Sequence, residues 1–216
     1  MKALQSIRID PDNAILVIVD VENEFCKPDG KLYSEVSARV APRVISAIQE
    51  LAERARNAGI NIIYIQSVRT LQETEFAVFG QKPILQIGTW ASKIVDELEP
   101  QKGDIVVQKF CRDSFFNTDL EQWLRRLVPD PTSYYAVVTG GDVGVCLYHA
   151  VMGFHLRDYW TIVPVDCVYY LSEARNQRAL EQFSDPPYPN VFLSRSDLIE
   201  ASKLVELPRS WPKPGT

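Results

Sequence analysis

The sequence predicts an α/β protein: a three-layer α-β-α fold on a doubly wound, mostly parallel six-stranded sheet. Two observations carry this. Short, uniformly apolar and β-branched runs such as "AILVIVD" (14–20) have the composition of parallel strands covered on both faces. These runs alternate with segments whose apolar residues recur at helical spacing, the pattern that places helices on both sides of one sheet. A chain of 216 residues suffices for one well-buried domain and is short for two, so a single domain over 1–216 is expected.

After the turn signal "DPDN", the first strand covers 14–20 and ends at Asp20. "SEVSARVAPRVISAIQELAERARNAG" follows as a helix, with Val40, Val44, Ile45, Ile48, Leu51 and Ala52 at helical spacing and Gly59 as its C-cap. "INIIYIQS" (60–67) is the second strand. Residues 68–103 are irregular, with "FGQKP", "IGTW" and a short helix at "WASKIVDEL", a length that can supply part of a pocket wall. "DIVVQK" (104–109) is the third strand, ending at Lys109. "NTDLEQWLRRL" (117–127) is a helix capped by Asn117 or Thr118, and "SYYAVVTG" (133–140) is the fourth strand. A helix opening near Cys146 runs to about Tyr159, followed by a fifth strand, "YWTIVPVD" (159–166). "SEARNQRALEQFSD" is a further helix and "NVFLS" (190–194) a sixth, edge strand. The tail "LPRSWPKPGT" is expected to lie over the surface or a partner subunit.

A hydrophobic content of 46% and a charged content of 24% are ordinary for a globular chain and argue against disorder and a membrane class. A net charge of −5 without any Lys/Arg block gives no attraction to phosphate backbones or anionic lipid, so neither nucleic acid nor membrane is an expected partner. The N-terminal "MKALQSIRIDPDN" lacks the apolar core of a signal peptide, and the expected compartment is the cytoplasm. Cys26, Cys111, Cys146 and Cys167 form no CxxC pair, which suits a reduced compartment better than a disulfide framework or a thiolate metal site.

Open α/β sheets bind ligands beyond the carboxyl ends of their strands. Asp20, Lys109 and the turn "TGGDVGVC" (139–146) all fall at such ends. Singly, each has an ordinary reading: a capping carboxylate, a solvated lysine, an inert core thiol. Together they are chemically coherent. A thiolate needs a base and a cation nearby, and a helix N-terminus favours it further. The turn can also offer backbone N–H groups to an oxyanion, where one donor is worth about 3–4 kcal/mol of transition-state stabilisation.

The blocks "AILVIVDVENEF", "DIVVQKFCRDSFFNTDLEQWL" and "AVVTGGDVGVCLYHAV…YWTIVPVDCV" resemble, in order and spacing, the signatures of the isochorismatase-like cysteine hydrolase superfamily, over roughly residues 12–200. The resemblance implies a catalytic triad of Asp20, Lys109 and Cys146. It also implies a cis peptide at Gly141-Asp142, with the amides of Asp142 and Cys146 forming the oxyanion hole. Four positions depart from the pattern. Glu22 stands where the family has glutamine, Val143-Gly144 replaces a Thr-Asp or Thr-Asn pair, and Ala150 opens "AVMGF" in place of a "TARDA"-like stretch.

Nicotinamidases of this superfamily hold a metal through an Asp/His cluster after the second strand. Here that region reads "IQSVRTLQETEF", without histidine, and His149 and His155 are spaced six apart on one helix, off a common face. No metal and no cofactor are expected. Arg69 is a candidate clamp for a substrate carboxylate, and Phe25, Trp90 and Phe115 are candidate pocket walls, against default readings of a solvated arginine and core aromatics. Cys26, Cys111 and Cys167 are read as structural, and Asp166 as a residue that positions backbone.

The expected function is hydrolysis of a small amide or ureido (carbamoyl) C–N bond through a thioester on Cys146. The alternatives are vinyl-ether hydrolysis of isochorismate, which the superfamily also performs, and a binding protein that kept the fold after its pocket diverged. The resemblance further implies a homo-oligomer, a dimer or tetramer.

Overall fold

A computed structural model describes residues 4–70, 84–184 and 188–203. Outside these residues lie the first three residues of "MKALQSIRIDPDN", the "FGQKP" loop, the acidic half of "IQSVRTLQETEF", the last residue of "SEARNQRALEQFSD" and the proline-rich tail.

In chain order the strands are β1 (Ile7–Ile9), β2 (Ala14–Val19), β3 (Asn61–Ser67), β4 (Ile105–Lys109), β5 (Tyr135–Gly140), β6 (Trp160–Pro164), β7 (Val191–Ser194) and β8 (Ile199–Ala201). The helices are α1 (Asn23–Cys26), α2 (Glu35–Asn57), α3 (Leu120–Leu127), α4 (Cys146–His155) and α5 (Glu173–Phe183). A six-stranded sheet runs β4-β3-β2-β5-β6-β7, and every neighbouring pair in it is parallel. β7 is an edge strand, as its sequence predicts.

Both faces of the sheet are covered, which is why β2 is apolar at every position. Leu16 and Ile18 pack with Val40, Val44, Ile48 and Leu51 of α2. Ile15, Val17 and Val19 pack on the opposite face with Leu120 and Leu124 of α3, Leu147, Ala150, Val151 and Phe154 of α4, and Leu180 and Phe183 of α5. The resulting α-β-α layers leave the strand ends as the place for polar chemistry. No described helix is long and apolar enough to cross a membrane.

The order reverses between β2 and β5: β3 and β4 lie to one side, β6 and β7 to the other. The two strands around this switch point are pressed together. Val19 lies in register with Gly140, and Gly141 N donates to Val19 O at 2.9 Å. Gly140 is left-handed (φ 98°), and a Cβ there would sit 2.0 Å from Val19 O, so only glycine fits.

Several boundaries differ from the sequence reading, each for a local reason. "WASKIVDEL" forms two 3₁₀ turns, Trp90–Ser92 and Asp96–Leu98, because the backbone between them pairs instead with the chain after β2. Asn23 N donates to Lys93 O, Val95 N donates to Val21 O, and Glu22 bridges Ile94. α3 begins at Leu120 with Asp119 at its cap, since Asn117 is left-handed (φ 52°). Thr118 Oγ1 instead accepts from Leu120 N at 3.3 Å. α4 stops at His155, four residues early, before a left-handed Asp158 (φ 63°). The parallel ladder of β1 and β8, three residues each, has no counterpart in the sequence reading, being too short to show a period.

Candidate active site

Asp20 follows directly on β2, Ser67 closes β3, Lys109 closes β4, and Cys146 opens α4 just beyond β5. Their side chains meet at the switch point. Lys109, with 0% exposure, donates from Nζ to Asp20 Oδ2 at 3.0 Å, to Ser67 Oγ at 2.8 Å and to Cys111 O at 3.1 Å. Ser67 Oγ in turn donates to Asp20 Oδ1 at 2.9 Å. Asp20 is left-handed (φ 52°), a conformation that Asp tolerates better than most side chains, and its carbonyl accepts from the Tyr169 hydroxyl.

The Asp20 carboxylate and the Lys109 ammonium both act on the Cys146 thiol. Burial first, and Asp20 second, push this thiol well above its usual range; Lys109 pulls it down without reversing the shift. The resting sulfur is therefore a thiol beside the Asp20 side chain. Lys109 shows the opposite balance. Burial disfavours its charge, but Asp20 foremost and Cys146 next outweigh that, and its value is raised, so it stays a cation.

The Gly141-Asp142 peptide is cis. Gly141 N, Val143 N, Val145 N and Leu147 N bond to backbone carbonyls, and Gly144 N bonds to Asp142 Oδ1. The amides of Asp142 and Cys146 have no acceptor among the described residues, and Cys146 N lies at the free N-terminus of α4. Two N–H groups without acceptors near a thiol are donors that a developing oxyanion could use.

The remaining sequence candidates are distributed differently. Phe25 is buried beside the site, its ring 6.4 Å from that of Tyr169. Phe115 packs edge-on against Phe154 at 5.2 Å and under the Arg157 guanidinium at 3.8 Å, so its ring serves the packing of α4. Trp90 is 45% exposed and reaches the site's surroundings through its carbonyl, which accepts from Asn23 Nδ2 at 2.9 Å. Arg69 is not a solvated surface residue: it is 5% exposed, and its Nη1 donates to Val68 O at 2.8 Å and Lys109 O at 3.4 Å. That guanidinium thus holds the chain where β3 and β4 end. His149 Nδ1 lies 2.7 Å from Val145 O and His155 Nδ1 contacts Asn190 Oδ1. Among the described residues, no group of three His, Cys, Asp or Glu side chains could hold a metal ion.

Three contributors were missed by the sequence reading. Ser67 carried a usable signal, since it ends a buried strand as Asp20 and Lys109 do. Tyr169 and Arg175 carried none. Tyr169 clamps the turn by accepting from Val143 N and donating from its own N to Gly140 O. Arg175 Nη1 pairs with Asp142 Oδ2 at 3.0 Å.

Residues 14–193 match the isochorismatase domain family. The chain belongs to the isochorismatase family. Solved structures of the same fold include an isochorismatase-like hydrolase from Alkaliphilus metalliredigens, 22% identical, with a TM-score of 0.74 over 86% of this chain and 96% of that one. A cysteine hydrolase from Pseudomonas syringae pv. phaseolicola is 23% identical, with a TM-score of 0.76 over 91% and 94% of the two chains. The N-carbamoylsarcosine amidase from Thermoplasma acidophilum is 24% identical, with a TM-score of 0.70 over 86% and 97%.

Within this isochorismatase-family fold, packing accounts for three of the four departures noted in the sequence. Val143 and Ala150 are fully buried in the core shared by α4 and the sheet. Gly144 makes room for Arg175, because a Cβ there would lie 2.2 Å from Arg175 Cγ. Glu22, the fourth, is fully buried, with Oε1 accepting from Ser67 N at 2.7 Å.

Proposed function

We propose that the chain is a cysteine-dependent hydrolase of small amide or ureido (carbamoyl) C–N bonds, acting through a thioester. The observation that carries this reading is the meeting of Asp20, Lys109 and Cys146 at one buried point, with two acceptor-free amides alongside. The similarity to an N-carbamoylsarcosine amidase supports the substrate class.

In this mechanism Asp20 accepts the thiol proton as sulfur bonds to the substrate carbonyl carbon. The carbonyl electron pair moves onto oxygen, where the Asp142 and Cys146 amides receive it. As the tetrahedral species collapses, the C–N bond breaks and Asp20 returns the proton to the leaving nitrogen. Ammonia or an amine departs, and the thioester remains on Cys146. Water then attacks the thioester while Asp20 takes its proton, and the C–S bond breaks to restore the thiol. Lys109 orients Asp20 through its hydrogen bond and balances the charge on sulfur. Because the thiol is raised, its proton passes to Asp20 only as sulfur attacks a bound carbonyl.

An ammonia-release screen over small amides, carbamoyl amino acids and ureido acids tests the proposal. Cys146→Ala should abolish turnover, and mass spectrometry of the wild type should trap an acyl group on Cys146. Turnover that survives in Cys146→Ala overturns the covalent route, and pyruvate release from isochorismate by that variant points to vinyl-ether hydrolysis instead.

A further inference from the structure

Glu22 is the one departure that packing does not explain. It has 0% exposure, its Oε1 accepts from Ser67 N at 2.7 Å, and its Oε2 has no hydrogen-bond partner among the described residues. The titratable groups facing it are Asp20 at the end of β2, Lys109 at the end of β4, Cys26 in α1 and Tyr169 in the segment after β6. Only Lys109 among these brings a positive charge, and its three hydrogen bonds go to Asp20, Ser67 and Cys111. Two buried carboxyl groups thus share one cation, which already belongs to Asp20. An ionised Glu22 would be a buried charge with one backbone amide and no cation of its own, an arrangement that proteins avoid.

We infer that Glu22 is held as a neutral carboxylic acid and is a positioning residue of this site. Its carbonyl oxygen anchors the Ser67 amide, so that Ser67 Oγ reaches both Asp20 and Lys109, and its proton keeps a second negative charge away from Asp20. The inference about turnover rests on the cysteine-hydrolase reading above; the protonation state stands apart from it. Burial foremost, and Asp20 next, push the Glu22 carboxyl well above the usual carboxylate range, while Lys109 and the Ser67 amide pull it down without prevailing. The group is therefore neutral below that raised value and ionises only as pH climbs through it. Ionisation sets a negative charge beside the base and opposes the negative charge that develops on sulfur and on the substrate oxygen. The neutral form is the active one, and Glu22 contributes to the alkaline limb of the rate profile.

Glutamine is the neutral isostere: it keeps the oxygen that faces Ser67 N and places an amide N–H₂ where the acid carries its O–H. The test compares wild type, Glu22→Gln and Glu22→Ala. At neutral pH in D₂O, the infrared difference between wild type and Glu22→Gln should show the C=O stretch of a protonated carboxylic acid. Glu22→Ala should lower kcat/KM by about tenfold or more, Glu22→Gln should recover most of that loss, and its alkaline limb should move up by ~1 pH unit or more. A carboxylate band in place of the acid band overturns the inference, as does a glutamine variant no better than alanine or an unmoved alkaline limb. Should Glu22→Ala fail to fold, the infrared band and the glutamine pH profile still decide. If no amide or ureido substrate is found, the infrared band alone decides the protonation state, so failure of the hydrolase reading and failure of this inference are told apart.

Discussion

Lys109 and Asp20 form an ion pair of 3.0 Å in which solvent reaches 0% of one side chain and 1% of the other. A pair so enclosed depends on each member for the other's solvation. Ser67 completes it by touching both.

Lys109→Met leaves the Asp20 carboxylate buried without its cation, and breaking a buried pair in this way costs about 3–5 kcal/mol. Asp20→Asn together with Lys109→Met should cost clearly less than the sum of the two single changes, because the second removal relieves the charge stranded by the first. Urea unfolding at pH 7 measures all four corners of the cycle, and additive losses would contradict the pairing. Pairing raises the Lys109 value, so its contribution is complete below lysine's ordinary value of about 10.4 and is lost as pH rises through the raised one. The coupling should accordingly be fully present at neutral pH and fade only in strong base.

Cys146 should alkylate slowly in the resting protein. A nearby lysine and a helix N-terminus favour a thiolate, but burial and the Asp20 side chain drive Cys146 the other way, above the ordinary thiol value of about 8.5. Iodoacetamide labelling followed by peptide mass spectrometry should place the onset for Cys146 above the ordinary thiol range. In Asp20→Asn that onset should move down, since one of the two raising causes is gone. Rapid labelling of Cys146 below neutrality in the wild type would refute the assignment of a protonated resting thiol.

Arg175 neutralises the Asp142 carboxylate, whose own amide is one of the two proposed oxyanion donors. Arg175→Ala should lower kcat by about tenfold while costing under ~1 kcal/mol of stability, because the arginine is half-exposed. Gly144→Ala should reproduce the kinetic defect by displacing the arginine stem. Arg175→Lys should restore part of kcat through charge alone. An Arg175→Ala variant with unchanged kcat would remove any electrostatic role for the pair.

The strand pattern, the parallel sheet and three of the groups that meet at the site were legible from residue order. A strand covered on both faces must be apolar throughout, so a polar residue closing "AILVIVD" or "DIVVQK" stands out against its neighbours. The glycine pair before Cys146 stands out for a similar reason: β5 and β2 approach too closely for a side chain at Gly140. Such local contrasts survive in a one-dimensional reading. The short helices and caps did not, because at 93–95 the backbone is claimed by partners some seventy residues away.

Composition and periodicity therefore settled the layers of this protein and which strand ends carry polar groups, since those depend on burial repeated along each segment. What the folded chain alone decided is how the polar groups divide their charge. Ser67 joins Asp20 to Lys109, Tyr169 clamps the glycine turn, Arg175 occupies the space over Gly144, and Glu22 finds no cation of its own. Each of these depends on distance and desolvation between residues remote in sequence, and no local pattern encodes either quantity.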